Sequence, residues 1–470
     1  VKRITAIAWA FLAALPLLVD WTWKAWIHRR PFWIFYYDPE TIYFYEGLRI
    51  LGGHAPHNVD NPGTTLQLLT AAIASLTGSS PLRFDAFRLP AYTIALLLSL
   101  GAIFLLRRTL FRKADPRWLV AGVWTFFLAP SALEYSAVWA AEIVYFPLAV
   151  LALAAVWRID ERASTAALAG AAIGLGLATK FLFVPWLVAL IVMLVVARRW
   201  RHLVAAIGGA AAAFLAFTAV AAPRYRYMLG WLWQLATHSR SYGYGPKQAP
   251  ELSSVIRDGA SMALQAWPWI AWLALIVGTL IVRRTRMEGR ILFAVTAMSL
   301  GVLLAVRVPG ADFKYLLPVS AASIALVATM ERPPFAAFAI AGVLVATSVG
   351  IDLWHHERKI SEELQLRGDL DAAVHDFAPH GVVVYSGRVP EPAFALRLET
   401  IDPAYLSQIS AAYPSVGHYP QWEGRVFLPD GATHWDLLVL HDSLLRRFPE
   451  PMGRTVRVIP PYRVIMRPGT

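Results

Sequence analysis

The sequence predicts an all-α polytopic membrane domain of about eleven transmembrane helices, with interfacial helices in a long first external loop, followed by a small C-terminal α/β periplasmic domain. Three observations predict it. Of the 470 residues 57% are hydrophobic and only 16% charged; apolar runs recur with basic connectors between them; and hydropathy falls away near His355. A net charge of +12 would point to nucleic acid in a soluble protein. Here the basic residues stand between apolar runs, as in "RRTLFRK" from Arg107 and "RRTRMEGR" from Arg283. That is the positive-inside pattern, which sets orientation, so no nucleic-acid partner is expected. The chain has no cysteine, which excludes disulfides, thiolate metal sites and thiol nucleophiles.

The opening stretch "VKRITAIAWAFLAALPLLVDW" has the basic start and apolar run of a signal peptide, but with so many runs behind it an uncleaved first helix is expected. Further candidate spans centre on residues 89–106, 118–134, 143–157, 164–179, 181–197, 203–222, 262–282, 291–307, 315–330 and 334–352. Alternating them places every basic connector, at 107–117, 158–162, 198–202 and 283–290, on the cytoplasmic side. Lys2 and Arg3 put the N-terminus inside, so residues 21–62 lie outside, and the span ending at Arg107 must also begin outside. The apolar stretch "TTLQLLTAAIASLTG" from Thr64 therefore cannot cross. It is also short, because fifteen helical residues reach about 23 Å and a bilayer core is about 30 Å thick. An interfacial or shallow re-entrant helix is expected there, within one external segment from 21 to 88 whose aromatics, Trp21, Trp23, Trp26, Trp33, Tyr36 and Tyr37, suit the membrane boundary. The domain boundary falls at 354/355. Beyond it "ERKISEELQLRGDLDAAVHDFA" has helical spacing, and "GVVVYSG", "WDLLVLH" and "TVRVIPPYRVIMR" read as short strands. "GAAIGLGLATK" from Gly170 lacks the Gly-Lys-Ser/Thr order of a phosphate loop, so Gly170 and Gly174 read as close helix packing.

Acids near a membrane are costly and mark candidate chemistry. Asp38 in "YYDPE" and Glu142 in "VWAAEIVYF" both fall on the outer side. Singly, Asp38 before a helix is a cap and Glu142 a solvated helix start; together on one face with basic groups they read as a site. Those basic groups are Lys180 in "LATKFLF" and Lys314 in "PGADFKYLLP", either of which would otherwise simply snorkel. Arg224, Arg226, Arg240 and Lys247 in the outer segment from 223 to 260 run against the positive-inside trend and ask for an anion. Arg240 is the substrate-binding candidate among them. His54 and His57 in "GGHAPHNVDNPG" lack companion ligands on a helix. His57 and Asp60, and Tyr315 beside Lys314, are taken as substrate-binding candidates, and no metal site or cofactor is expected, although Asp38, Glu40 and Glu142 could host a divalent ion.

The ordered motifs "YYDPETIYFYEGLRILGG", "NVDNPGTTLQLLTA", "RLPAYTIALLLSL", "SALEYSAVWAAEIVYFPLAVLALA", "GLGLATKFLFVP" and "FKYLLPV" resemble the bacterial glycosyltransferase C superfamily. The resemblance is to the branch of the protein O-mannosyltransferases and the aminoarabinose transferase of lipid A, and it covers residues 1 to about 350. It implies transfer of a sugar, with inversion, from a polyprenyl-phosphate donor to a glycan, lipid or protein acceptor outside the bacterial cytoplasmic (inner) membrane, the active site facing the periplasm. It further implies Asp38 as general base, Glu142 as the second external acid, and Lys180 and Lys314 beside the donor phosphate. The branch usually works without a metal. The acid pair reads Asp-Pro-Glu here and the usual Pro-Pro step reads "NPG", which leaves subfamily and substrate open. Two further readings stand beside it: a transporter or flippase of a lipid-linked or anionic substrate, against which no internal repeat is evident, and a polymerase or ligase of surface polysaccharide.

Overall fold

The computed structural model describes the whole chain except residues 1, 28, 30–39, 60–62, 81, 161, 239–246, 248–251, 283–288, 308–312, 331–334, 387–402, 420–425, 430, 446, 447, 449–452 and 468–470. It divides into two compact units. The first comprises Val1–Ile27, Asn58–Leu69 and Pro90–Leu353, the second His28–His57, Thr70–Leu89 and Trp354–Thr470.

In chain order the helices are α1 (Lys2–Trp21), α2 (Glu40–Leu51), α3 (Thr64–Thr77), α4 (Phe84–Arg108), α5 (Pro116–Phe127), α6 (Tyr145–Trp157), α7 (Ala163–Thr179), α8 (Val184–Val196), α9 (Trp200–Thr218), α10 (Tyr225–Thr237), α11 (Leu252–Gln265), α12 (Trp267–Val282), α13 (Gly289–Arg307), α14 (Leu317–Ala328), α15 (Phe335–Phe377) and α16 (Pro403–Ala412). Helices stand at all eleven expected spans, and α3 is the separate short helix expected after the first loop. Length and composition, however, make only two described helical stretches long and apolar enough to cross a membrane, Ala86–Arg108 and Trp200–Gln234. A third, Gly259–Gln265 with Trp267–Leu280, counts if its 84° bend is allowed. The reason is that several apolar segments stop being α-helical early. The expected span at 118–134 is helical only to Phe127, and both α5 and α14 have 12 residues, about 18 Å. By that yardstick they are shorter than α3, whose 14 residues were expected not to cross, so length alone does not set α3 apart.

What replaces the missing turns is 3-10 helix: Glu134–Ala137 and Ala141–Val144 before α6, Phe181–Phe183 before α8, Ala219–Arg224 after α9, and Phe313–Leu316 before α14. Proline fixes the return to α geometry, Pro185 and Pro318 standing in the first turns of α8 and α14, where the absent N–H costs nothing. The glycine-rich run in α7 is a packing surface, as expected. A Cβ on Gly170 would lie 1.8 Å from the Ala206 carbonyl oxygen, and one on Gly174 2.2 Å from that of Ala210. So α7 and α9 approach backbone to backbone, which only small residues permit.

The hydropathy change at 355 does not end a helix. α15 runs through it for 43 residues, its apolar start giving way to the amphipathic pattern read from Glu357 onward. The sheet that follows contains the three expected stretches as β1 (Val383–Ser386), β3 (Leu437–His441) and the hairpin β4 (Arg454–Ile459) and β5 (Tyr462–Met466), together with β2 (Val416–Tyr419), which was not anticipated because "VGHY" is short and carries a glycine at its second position. The order is β2-β1-β3-β5-β4, with β1 parallel to β2 and β3, and β5 antiparallel to β3 and β4. Alternation along the strands gives two cores. Val383, Tyr385, Leu437, Val439 and Val464 pack with Leu370 and Ala373 of α15, while Val384, Leu438, Leu440 and Ile465 pack with Tyr419, Trp435 and Leu444.

Candidate active site

Within the first unit the 3-10 turns carry charged residues that the sequence places far apart. α7 ends at Thr179, and Lys180 takes an extended backbone conformation between α7 and the turn that opens α8. Its side chain meets Glu142, in the turn before α6, with Nζ to Oε1 at 2.7 Å and the two side chains only 9% and 2% exposed. The ammonium also lies 5.4 Å from the centre of the Tyr315 ring. Lys314, on the turn before α14, stands 5.9 Å from the same ring and 5.8 Å from the Tyr135 ring. Four turns from three separate stretches of the chain thus bring two ammonium groups, one carboxylate and two phenol rings into one cluster. Aromatic faces hold cations without neutralising them. Beside it a small cleft of about 20 Å³, room for about one water, is lined by Glu142, Tyr135, Ser136 and Ser99 with apolar Leu17, Phe126 and Phe146.

Lys180 is placed by the step Gly63–Thr65. The last carbonyls of any α-helix have no partner within it, and two of those of α7, at Ala178 and Thr179, are met from the start of α3. The Gly63 N–H donates to the Thr179 carbonyl at 3.1 Å, Thr64 Oγ1 to that of Ala178 at 3.0 Å and Thr65 Oγ1 to that of Leu175 at 3.2 Å. Gly63 holds φ +64° there, a conformation glycine adopts at no steric cost. A second support is a buried charge cluster at the end of α1. Lys24, in the π-helical turn Thr22–Ile27, pairs with Asp20 at 3.0 Å and with Asp352 of α15. It also donates to the Leu133 carbonyl at 3.0 Å, and the Ser136 hydroxyl donates to Asp20. Both contacts fall on the segment that carries Tyr135, which includes Ser131 at φ +66°, a strained value for a residue with a side chain.

The sequence-derived candidates divide as follows. Glu142, Lys180, Lys314 and Tyr315 come together in the first unit. His57 belongs to the second, half-buried, its backbone N–H donating to the buried Glu46 carboxylate at 2.7 Å. Asp38, Asp60 and Arg240 lie outside the described residues. Glu142, which taken singly would be a solvated helix start, is buried at 5% exposure against Lys180. Unforeseen were Tyr135, the Gly63–Thr65 cap, and Asp20, Lys24 and Asp352. The signal for the last group was present: two opposite charges at i, i+4 directly after an apolar run, and an aspartate late in another, each costly at that position unless paired.

Over 99% of its length the chain superposes on 98% of ArnT from Cupriavidus metallidurans bound to undecaprenyl phosphate, with a TM-score of 0.60 and 11% identity. The same protein in the apo state gives 0.59 at 12% identity, covering 98% of each chain. At such identity the likeness is one of fold. No curated protein sequence matches. A family model does match, over residues 68–309, more than half of the chain and the stretch that contains Glu142 and Lys180. The fold is that of the glycosyltransferase C superfamily, and the chain belongs to glycosyltransferase family 87.

Proposed function

We propose that the protein is an inverting glycosyltransferase that moves a sugar from a polyprenyl-phosphate donor to a glycan, lipid or protein acceptor at the periplasmic face of the bacterial inner membrane. The observation that carries this reading is the gathering of Lys180 and Lys314 around Tyr315, both drawn from helix starts at one end of the bundle. A phosphate headgroup needs such pre-placed cations. The structural relative bound to undecaprenyl phosphate supports the same donor class.

In this reaction the acceptor oxygen attacks the anomeric carbon from the face opposite the leaving group. The carbon–oxygen bond to phosphate breaks, and its electron pair leaves with the polyprenyl phosphate. The acceptor proton passes to a carboxylate, assigned to Asp38, a step worth about 10² to 10⁴ in rate. Negative charge grows on the departing phosphate, and Lys180 and Lys314 stabilise it without having to reorganise. Glu142 acts through Lys180. Its carboxylate fixes the ammonium where the phosphate arrives, which is a different role from that of the base. No general acid is required for such a leaving group, and no resident cofactor is invoked.

The test is transfer by the purified protein in nanodiscs from a panel of polyprenyl-phosphate sugars. Asp38→Asn is expected to retain donor binding and lose turnover by about 10² to 10⁴, and Lys314→Ala to raise the donor KM. An unchanged turnover number for Asp38→Asn removes the base assignment. Movement of labelled donor across sealed vesicles, with no transfer from any donor, replaces the enzyme with a transporter. Orientation has its own check. A cysteine at Ser79 should react with an impermeant thiol reagent from outside and one at Lys113 only from the cytoplasm; the reverse pattern inverts the site.

A further inference from the structure

At the opposite end of the same bundle lies a second charged pocket. α6 and α8 run away from the Glu142–Lys180 pair, and α7 and α13 run toward the end that bears Lys180 and Lys314, so the connectors after α6 and after α8 and the start of α13 meet at the far end. There a cavity of about 370 Å³ is floored by Ile159, Met193 and Leu194 and rimmed by Asp160, Arg199 and Arg290. Arg199 and Arg290 both pair with Asp160, the latter at 3.2 Å, and Arg290 also stacks on Trp157 at 4.7 Å.

We propose that this cavity binds the phosphodiester of an anionic glycerophospholipid, its glycerol and first acyl carbons lying against Met193 and Leu194. Four observations carry the inference. The cavity is stratified, buried apolar side chains below and guanidinium groups above, as a lipid is at its headgroup. Its flank is apolar and exposed, with Val196 at 66% and Trp200 at 60%, and an exposed tryptophan next to aliphatic side chains marks membrane-boundary depth. Arg158, Arg162, Arg198 and Arg201 are exposed and lie within two residues of the lining residues Asp160 and Arg199, so cations exceed acids among the described residues of these connectors. Finally, Arg198 occupies the turn that ends α8 with φ +55°, a position glycine fills more cheaply; the strained arginine keeps a charge where a neutral residue would fold better. Basic pockets between helix ends at the cytoplasmic boundary recognise phospholipid headgroups by these means. Arginine suits the task because its planar fork grips phosphate with two donors. Asp160 holds both guanidinium groups in register and competes with the anion.

That competition makes the site testable. The full-length protein in detergent is titrated with phosphatidylglycerol, with phosphatidylcholine and with inorganic phosphate, and retained lipid is counted by native mass spectrometry. Wild type is expected to hold phosphatidylglycerol in preference to phosphatidylcholine, by about fivefold for each arginine engaged. Arg199→Gln/Arg290→Gln abolishes the preference. Gly289→Leu abolishes it with every charge in place, since even a Cβ at 289 comes within 3.3 Å of the cavity wall at Met193. Asp160→Asn tightens binding. Equal retention by wild type and the double variant overturns the proposal, as does weaker binding by Asp160→Asn, which would make the three residues a mere clamp. Displacement of the lipid by millimolar inorganic phosphate overturns the lipid as occupant.

Discussion

At one end of α6, α7 and α8, Lys180 meets Glu142 with 9% and 2% of their side chains exposed. At the other, Arg199 and Arg290 meet Asp160, whose side chain is 53% exposed. Contact distances are similar; surroundings are not. Removing charges from water costs several kcal/mol for each ion, and only close pairing repays it, so the members of a buried pair depend on each other. An exposed pair is already solvated and gains about 0 to 1 kcal/mol. The backbone is built accordingly. The buried end is made of 3-10 turns, a borrowed helix cap and a strained Ser131, whereas the exposed end consists of ordinary helix termini and one left-handed arginine. Each end keeps one strained residue, and the buried end adds the cost of taking charges out of water.

The largest expected effect follows from breaking the buried pair on one side. Lys180→Met removes the ammonium that Glu142 meets at 2.7 Å, and should lower stability by about 3 to 5 kcal/mol, read as a fall in the thermal midpoint in detergent together with loss of donor binding. Lys180→Met/Glu142→Leu separates the two losses. Stability should return because an apolar pair can replace a buried ionic one, and donor binding should not. If the double variant binds donor like wild type, Lys180 has no part in recognition and the cluster is structural.

A smaller effect tests how the buried end is positioned. Thr64→Val keeps the shape of the side chain and removes the hydrogen bond to the Ala178 carbonyl, at a cost of about 1 kcal/mol. Because that carbonyl lies two residues before Lys180, the donor KM should rise while the turnover number holds. A change in turnover with constant KM would show that the cap acts on the reacting centre and not on the lysine.

The contrast also explains what the sequence made legible. Helix positions could be read because apolar runs are long and their basic flanks consistent; Gly170 and Gly174 could be read because a four-residue spacing puts both on one helix face. The strands of the terminal sheet were readable where branched residues cluster, as in "GVVVYSG", and β2 was not. Glu142, Lys180, Lys314 and Tyr315 could be selected by placing charges along predicted spans, but their partners could not. Whether Glu142 faces water or Lys180 is decided by unwound turns, and hydropathy does not distinguish an unwound turn from a helix end. The capping of α7 by Gly63, Thr64 and Thr65 joins segments more than a hundred residues apart, and no local pattern encodes it. Length was a poor guide as well, since α5 and α14 are shorter than the α3 it was used to exclude.

The smallest effect belongs to the exposed end and is the most diagnostic of the contrast. Asp160→Asn removes both ion pairs with Arg199 and Arg290 at once, yet the Asp160 side chain is 53% exposed and Arg290 keeps its hydrogen bond to the Trp157 carbonyl at 3.1 Å, so stability should fall by no more than about 1 kcal/mol. Salt should erase even that. At 1 M the Debye length is about 3 Å, and the thermal midpoints of wild type and variant should converge, whereas the deficit of Lys180→Met should persist because its charges are not screened by solvent ions. A salt-insensitive loss in Asp160→Asn as large as that of Lys180→Met would mean that both ends are built alike, and that exposure does not govern which pair this bundle depends on.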